Sequence, residues 1–268
     1  KELASKPTGL ILLTGPTGSG KTTAIYAAIG FILEKHGNAV AISSVEDPVE
    51  QNLDWVNQST LNPARGYTYP SALRSLMRQD PEIIMVGEIR DEETAEIAIN
   101  AGMTGHLVIS TIHSGSTSGT FARLINMDIE PFLLASTIMG VLGVRLLRTN
   151  CMHCAGPYTP EAYALEQLRQ FEGDEYLRML IDQQGFYKGA GCSACANTGF
   201  SGRSSINELL ICDEKVREAV MQKRASRDIQ KLAVAAGMRT LWESGLQMVV
   251  DRKTTLEETL QKVAADQV

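Results

Sequence analysis

The sequence lacks several features that would assign it to common classes of protein. No stretch reaches the roughly 20 uninterrupted apolar residues of a membrane-spanning helix. The longest candidate, residues 132–147, is shorter and contains Arg145, so we interpret it as a buried helix. The amino end shows neither an initiator Met nor the apolar core of an export signal. We therefore expect an unexported chain, a fragment whose upstream domain has been removed.

The sequence also lacks an excess of basic residues. Its formal net charge is −6, which argues against a nucleic-acid surface spread over the whole chain, because binding phosphates requires clustered Lys and Arg. Charged residues make up 21% and hydrophobic residues 44% of the 268. This composition excludes disorder and suffices for a large buried core.

Short apolar runs alternate with helical patterns in the first half of the chain. The pattern predicts buried strands at 9–14, 39–45, 83–86 and 107–110, and helices at 21–35, 71–78 and 92–101. Residues 46–70 are polar and predict loops and short strands. Because buried strands alternate with helices, we expect an α/β fold with a mostly parallel sheet.

The second half carries no further run that predicts a buried strand. Residues 207–268 show helical spacing. We therefore divide the chain into a nucleotide-binding core at 1–148, a cysteine-containing module at 149–203 and a carboxyl-terminal helical region at 204–268.

A glycine-rich turn follows the first predicted strand and precedes a helix. Residues 15–22 match the P-loop (Walker A) pattern G-x-x-x-x-G-K-[ST] at every fixed position. Its backbone amides can cradle phosphates, Lys21 can reach the outer phosphates, and the Thr22 hydroxyl can bind Mg²⁺. The predicted ATP-binding residues here are Gly15, Thr17, Gly18, Ser19, Gly20, Lys21, Thr22 and Thr23.

Carboxylates follow two of the predicted strands. Glu88 comes directly after the third strand and is a candidate to hold the Mg²⁺ shell, through a water because of its length. Glu46, Asp47 and Glu50 follow the second strand, at the sheet edge where such folds bind ligands. Glu50 is a candidate general base, and a solvated acidic turn is the alternative.

Two histidines bracket the fourth predicted strand. His113 lies at the carboxyl end, where it can hydrogen-bond a phosphate oxygen, and His106 lies at the opposite end. A structural role is the alternative for both residues, and from the residues alone the better one for His106.

These motifs together resemble the secretion ATPase superfamily. The match consists of the P-loop, Glu-Asp-Pro-Val-Glu at 46–50, Arg-Gln-Asp-Pro-Glu at 78–82 with Met-Val-Gly-Glu-Ile-Arg-Asp at 85–91, and Thr-Gly-His-Leu-Val at 104–108. Within the superfamily the chain is similar to type II secretion and type IV pilus extension motors, over residues 3–263. One departure is Ser114-Gly115, where the family often has Thr-Asn.

The resemblance implies a RecA-like ATPase core in which Glu50 is catalytic, Glu88 is the Walker B glutamate, and His106 and His113 form a His box. Glu46 is included among the nucleotide-site residues. The resemblance further implies a hexameric ring, with arginine fingers supplied by an amino-terminal domain. Implied partners are an inner-membrane platform and cytoplasmic recruitment proteins, without nucleic acid. The implied location is cytoplasmic and peripheral on the inner membrane.

Four of the five cysteines form two Cys-x-x-Cys pairs, Cys151 with Cys154 and Cys192 with Cys195. In an unexported chain this spacing predicts a structural Zn²⁺ site with four thiolates, and a redox dithiol is the alternative. Extension and secretion motors, which the chain resembles, carry such a tetracysteine module. Cys212 stands alone and is expected to be a buried core thiol.

Three other functions are compatible with parts of the sequence. A small-molecule kinase would use the same P-loop, but no acceptor-site motif supports it. A P-loop nucleic-acid translocase with a zinc ribbon is the main alternative, although the segment between the cysteine pairs is more acidic than basic. A non-catalytic scaffold is disfavoured because Lys21, Glu50 and Glu88 are all present.

Overall fold

In a computed structural model of the protein, the apolar runs of the sequence form the central strands of a seven-stranded sheet. The structure describes residues 2–183 and 185–263, with only the backbone of Asn38 and Gln183. The strands are β1 (Gly9–Thr14), β2 (Ile42–Glu46), β3 (Val56–Thr60), β4 (Ile83–Ile89), β5 (Leu107–Ile112), β6 (Ile138–Asn150), β7 (Ala155–Tyr158), β8 (Phe186–Gly189) and β9 (Phe200–Ile211). The helices are α1 (Lys21–His36), α2 (Tyr69–Leu76), α3 (Glu92–Met103), α4 (Gly119–Ile125), α5 (Pro131–Thr137), α6 (Ala162–Gln183), α7 (Glu214–Met221), α8 (Ser226–Ala235), α9 (Leu241–Val250) and α10 (Leu256–Val263).

The large sheet has the strand order β3-β2-β4-β5-β1-β6-β9. Neighbouring strands from β3 through β6 pair in parallel. Because parallel strands end at the same edge, the loops after β1, β2, β4 and β5 meet there. Strands β1, β2 and β5 are buried at every residue, as expected for a sheet covered on both faces.

The chain divides into two compact units. The first contains the chain up to Gly143 together with Leu209–Met238, and the second contains Val144–Glu208 together with the chain from Arg239. Strands β6 and β9 therefore contribute residues to both units. The predicted carboxyl-terminal region 204–268 is divided between them.

Two helices of the first unit, α3 and α7, begin at a carboxylate cap. The Asp91 carboxylate accepts a hydrogen bond from the Thr94 amide at 2.8 Å at the start of α3, and Glu92 and Glu93 follow in the first turn. Asp213 caps α7 in the same way, at 2.9 Å from the Val216 amide. Such caps satisfy free amides at a helix start, each stabilising by about 1 kcal/mol.

The second unit has a core of its own. Leu147, Leu168, Trp242, Leu246 and Leu260 are among its buried side chains. Strands β7 and β8 pair antiparallel, and α6 is interrupted by a kink at Gly173. The buried carboxylate of Glu258 receives two hydrogen bonds from the Arg148 guanidinium, at 2.8 and 2.5 Å.

The predicted α/β fold with a mostly parallel sheet is confirmed. The helix predicted over residues 132–147 is wrong, because helix α5 ends at Thr137 and strand β6 begins at Ile138. The prediction of no further buried strand is wrong for the same reason. The helical interpretation of residues 207–211 is also wrong, since they lie in β9. Among the residues described, no helix combines the length and apolar character that a membrane span requires.

Candidate nucleotide-binding and metal sites

The P-loop connects β1 to α1, as predicted. Gly15, Gly18 and Gly20 adopt positive φ angles of 153°, 74° and 92°, a backbone region that other residues rarely adopt. Nothing lies within 4 Å of the position where Gly18 would carry a Cβ. The turn is therefore open beside Gly18, and the first turn of α1 adds its positive end for an anion.

Lys21 and Ser19 show which groups the loop offers to a ligand. The Lys21 ammonium donates hydrogen bonds to the carbonyls of Gly15 at 2.9 Å and Pro16 at 3.0 Å. The Ser19 hydroxyl is buried without a hydrogen-bond partner among the residues described. A buried hydroxyl of this kind is costly unless a ligand pairs with it, so the loop fits an anionic oxygen ligand.

The Glu88 carboxylate lies within β4, between the side chains of Arg90 and His113. One oxygen accepts a hydrogen bond from Arg90, and the other lies 3.4 Å from Nε2 of His113. The Glu88 side chain is 15% exposed, whereas those of Arg90 and His113 are more than half exposed. Hydrogen bonding to Glu88 raises the pKa of Arg90. The structure therefore brings the predicted residues Glu88 and His113 together.

Glu46 is a buried carboxylate that the protein itself satisfies. It accepts hydrogen bonds from Tyr26 at 2.5 Å, Ser44 at 2.6 Å and Gln58 at 3.0 Å. Burial, followed by the hydrogen bond to Glu46, raises the pKa of Tyr26 to about 12. Glu46 lines the cleft, but these bonds tie it to α1 and β3. Its contacts therefore indicate a structural role.

A cleft of about 260 Å³ opens between the P-loop and the loops after β2 and β4. Its lining includes Lys21, Thr22, Glu50, Glu88 and His113, which brings together residues from four separate motifs. Thr17 and Gly18 also line the cleft. Oxygen ligands of this type suit Mg²⁺, and Thr22 and Glu88 are the residues that can hold it.

The sequence did not predict the role of Tyr69, Gly87 or Thr111 in this cleft. Tyr69 begins α2 and is buried, and its hydroxyl would lie 2.6 Å from a Cβ on Gly87. Burial, followed by the charge of Glu88, raises the pKa of Tyr69. Thr111 donates a hydrogen bond to the Gly87 carbonyl at 2.8 Å. A polar residue near the end of a buried strand, such as Thr111, is the one signal that could have indicated a site residue.

Among the predicted nucleotide-site residues outside the turn formed by residues 15–20, His106 and Thr23 do not line the cleft. His106 precedes β5, and its ring Nδ1 lies 3.0 Å from the Ala101 carbonyl. It is separated from His113 by the six residues of β5, which span roughly 20 Å at about 3.3 Å per residue. Thr23 is exposed on α1, away from the cleft lining. The structure thus supports the structural interpretation of His106.

The four paired cysteines form a cluster in the second unit. Their sulfur atoms all lie within 4.8 Å of one another, with Cys151–Cys192 and Cys154–Cys195 at 3.9 Å and Cys192–Cys195 at 3.8 Å. A tetrahedral zinc site with bonds of about 2.3 Å requires sulfur–sulfur distances of about 3.8 Å. The cysteines form no disulfide, so their geometry fits a four-thiolate zinc site.

Backbone groups support the thiolate form of Cys195, whereas burial raises the pKa of Cys154 to about 12. Burial raises the pKa of Cys195, but hydrogen bonds from the amides of Cys192 and Gly199, at 3.2 and 3.3 Å, outweigh it and lower the pKa to about 6. Gly189 and Gly199 approach so closely that a Cβ on Gly189 would lie 1.9 Å from the Gly199 carbonyl oxygen. Cys212 lies elsewhere, in the first unit, as a buried thiol whose pKa burial raises to about 11.

The fold and the cleft together define a P-loop nucleotide-binding protein. Residues 1–261 match the family described as Type II/IV secretion system protein. The chain belongs to this family, which confirms the resemblance drawn from the motifs.

Curated relatives match nearly the whole chain. The type II secretion system protein HxcR of Pseudomonas aeruginosa is 43% identical over 96% of this chain and 49% of its own length. The type IV pilus assembly ATPase PilB of Thermus thermophilus is 42% identical over 97% of this chain and 28% of its own length. The chain thus spans half or less of the length of these relatives.

A solved structure supports the same fold. The pilus retraction motor PilT with bound ADP matches 97% of this chain and 63% of its own, with a TM-score of 0.68 and 26% identity.

Proposed function

We propose that the chain is the ATP-hydrolysing part of a motor that assembles pilin-like subunits in a type II secretion system or a type IV pilus machine. The observation that carries the proposal is the single cleft in which Lys21 and Thr22 face Glu50, Glu88 and His113. The relatives named as a pilus assembly ATPase and a type II secretion protein support this assignment.

Nucleotide binding falls to the P-loop. The amides of the loop and the start of α1 bind the phosphates, and Lys21 exchanges its bonds to Gly15 and Pro16 for the outer phosphate oxygens. The buried Ser19 hydroxyl gains a partner at the same time. Thr22 and Glu88 are the residues that would hold Mg²⁺, which when bound neutralises charge on the phosphates.

Hydrolysis requires a base for the attacking water. Glu50 is exposed in the cleft. Its carboxylate accepts a proton from the water while the water oxygen forms a bond to the γ-phosphorus. The bond to the bridging oxygen breaks and ADP leaves. His113, whose ring contacts Glu88, can hydrogen-bond a γ-phosphate oxygen and thereby connect the loop after β5 to the state of the nucleotide.

The cysteine cluster is proposed to hold a structural Zn²⁺. Four thiolates fill a tetrahedral shell, so the site has no open position for catalysis. The convergence of four sulfur atoms within 4.8 Å supports zinc over a redox dithiol, which needs only two.

The wider assembly is proposed from the family. We infer a hexameric ring that acts at the cytoplasmic face of the inner membrane, on a membrane platform and with recruitment proteins. Arginine fingers from an additional domain would raise the rate by orders of magnitude, so the chain alone is expected to turn over slowly. Type II secretion and pilus assembly fit equally well.

The proposal is tested by measuring ATP hydrolysis and metal content on the purified chain over a series of protein concentrations. We expect turnover that rises steeply with concentration and about one zinc ion per chain. Glu50→Gln should lower turnover by a hundredfold or more, since a general base contributes about 10²–10⁴, while leaving nucleotide affinity unchanged. A chain that binds no nucleotide would refute the proposal.

A further inference from the structure

Tyr69 is a buried residue whose hydroxyl forms no hydrogen bond with the part of the protein that the structure describes. Its side chain is 6% exposed and lines the cleft. Within residues 2–183 and 185–263 the hydroxyl has no hydrogen-bond partner. By contrast, the hydroxyls of Tyr26 and Tyr67 donate to Glu46 and Ser59. Because this hydroxyl lines the cleft and donates to no group of the described protein, it is available to an acceptor bound in the cleft.

The surroundings of this hydroxyl limit what the acceptor can be. The negative charges of Glu88, Asp47 and Glu46 act on it, together with the positive charge of Arg90. Neither Glu46, which accepts three hydrogen bonds, nor Glu88, which contacts Arg90 and His113, is a hydrogen-bond partner of this hydroxyl. Burial favours the protonated form of the hydroxyl, which makes it a donor. An acceptor that can also donate to carboxylates is a water molecule.

We propose that Tyr69 is a positioning residue, whose hydroxyl donates a hydrogen bond to the oxygen of the water that attacks the γ-phosphate. This inference rests on the proposed ATPase function. The two protons of the water face the carboxylates of Glu50 and Glu88, which line the same cleft. The water then makes three hydrogen bonds, which is the usual number for an ordered buried water. Its remaining lone pair forms the bond to phosphorus, the bridging P–O bond breaks, and Glu50 takes the proton.

Tyr69→Phe removes the hydroxyl and keeps the ring that packs in the core. We expect kcat for ATP to fall about tenfold, the effect of about one lost hydrogen bond, while KM and the Kd for an ATP analogue change less than twofold. Tyr67→Phe is the matched control, because that hydroxyl donates to Ser59 at 3.0 Å, and it should hydrolyse ATP at the unaltered rate. Wild-type kcat in Tyr69→Phe would overturn the inference.

Gly87→Ala tests the same hydroxyl from the other side. A Cβ on Gly87 would lie 2.6 Å from the Tyr69 oxygen, and the next atoms are at 3.4 Å. The substitution should therefore displace the hydroxyl and lower kcat about tenfold. Tyr69→Phe lacks the hydroxyl oxygen that the new Cβ would contact. Adding Gly87→Ala to Tyr69→Phe should therefore lower kcat by less than a further factor of two. Equal losses from Gly87→Ala in both backgrounds would contradict the proposed contact.

A spectroscopic measurement separates this inference from the proposed function. The ¹³C NMR signal of the Tyr69 Cζ atom can be assigned because it is absent from the spectrum of Tyr69→Phe. This signal should shift when Mg²⁺ and a non-hydrolysable ATP analogue are added. An unchanged signal would overturn the role of Tyr69 even if the protein hydrolyses ATP. A shifted signal in a chain that lacks turnover would support the bound water and count against the ATPase proposal alone.

Discussion

Glu46 and Glu50 are four residues apart and have opposite environments. Glu46 is buried and accepts hydrogen bonds from Tyr26, Ser44 and Gln58. Glu50 is exposed at the cleft. Because both belong to one acidic motif, the sequence alone indicated the same site for both. Their surroundings assign stability to Glu46 and leave Glu50 open to a ligand in the cleft, as its proposed catalytic role requires.

We expect Glu46→Ala to lower the free energy of unfolding by about 2–4 kcal/mol, since it leaves buried donors without an acceptor. Glu50→Ala removes an exposed side chain and should change stability by less than about 0.5 kcal/mol. Urea unfolding of both variants measures the difference. Equal stability of the two variants would show that the hydrogen bonds to Glu46 contribute little.

Tyr26 predicts a dependence of stability on alkaline pH. Its pKa is raised from 10.0 to about 12 by burial and by Glu46, so the folded protein retains a proton that the unfolded chain loses. The resulting stabilisation is fully present below pH 10 and is lost as the pH rises towards 12. Tyr26→Phe should therefore be less stable than wild type at pH 8, and this gap should narrow between pH 10 and 12. Urea unfolding at each pH measures it, and a constant gap would contradict the assignment.

Residues that belong to a recognisable motif could be predicted as site residues, and a residue outside every motif could not. Lys21, Thr22, Glu88 and His113 lie at strand ends or in a local pattern, and the fold places them in the lining of one cleft. Tyr69 reaches the cleft because α2 packs beside Gly87, eighteen residues further along the chain. That proximity follows from tertiary structure, and no local pattern indicates it.

At the scale of elements, the error over residues 132–147 has a physical cause. An apolar run can form a buried helix or a buried strand, and periodicity alone does not distinguish them. Pro131 at the first helical position starts α5. From Ile138 the backbone pairs with β1, from Leu10↔Ile138 to Thr14↔Gly143. This long-range pairing, together with the β-branched residues of the segment, favours the strand, and its two glycines disfavour a helix.

The connection beside the cysteine cluster depends on glycine for close packing. Gly189→Ala would place a Cβ 1.9 Å from the backbone oxygen of Gly199, so the backbone itself must move. We expect a loss of about 3 kcal/mol or more in stability and a lower zinc content. Gly156→Ala, in the paired strand β7, meets no atom within 4 Å and is the matched control. Thermal unfolding and metal analysis should separate the two variants.

At the scale of the whole molecule, the chain passes between the two units three times, after Gly143, Glu208 and Met238. The sequence distinguished a nucleotide core from a cysteine module, because each has its own motif. It did not indicate that Leu209–Met238 packs with the first unit, where Val216 and Val220 join the main core. Helical spacing shows which face of a helix is apolar, whereas the surface that covers this face is determined by the rest of the fold.

This division predicts that the metal binds the second unit and the nucleotide binds the first, so that loss of one should not weaken binding of the other. Every residue that lines the cleft belongs to the first unit, and the four clustered cysteines belong to the second. Cys192→Ser should abolish zinc binding and increase hydrogen exchange around β7 and β8, because structural zinc contributes directly to folding. The Kd for an ATP analogue, measured by calorimetry, should change less than about twofold, a difference below roughly 0.4 kcal/mol.

Cys212→Ala is the control for this experiment, since Cys212 is the cysteine outside the cluster. It should retain about one zinc ion per chain. Loss of nucleotide affinity together with zinc in Cys192→Ser, with Cys212→Ala unaffected, would show that the cysteine cluster supports the nucleotide site. Unchanged affinity would instead mean that the metal stabilises the second unit alone, so that its contribution to a motor is structural.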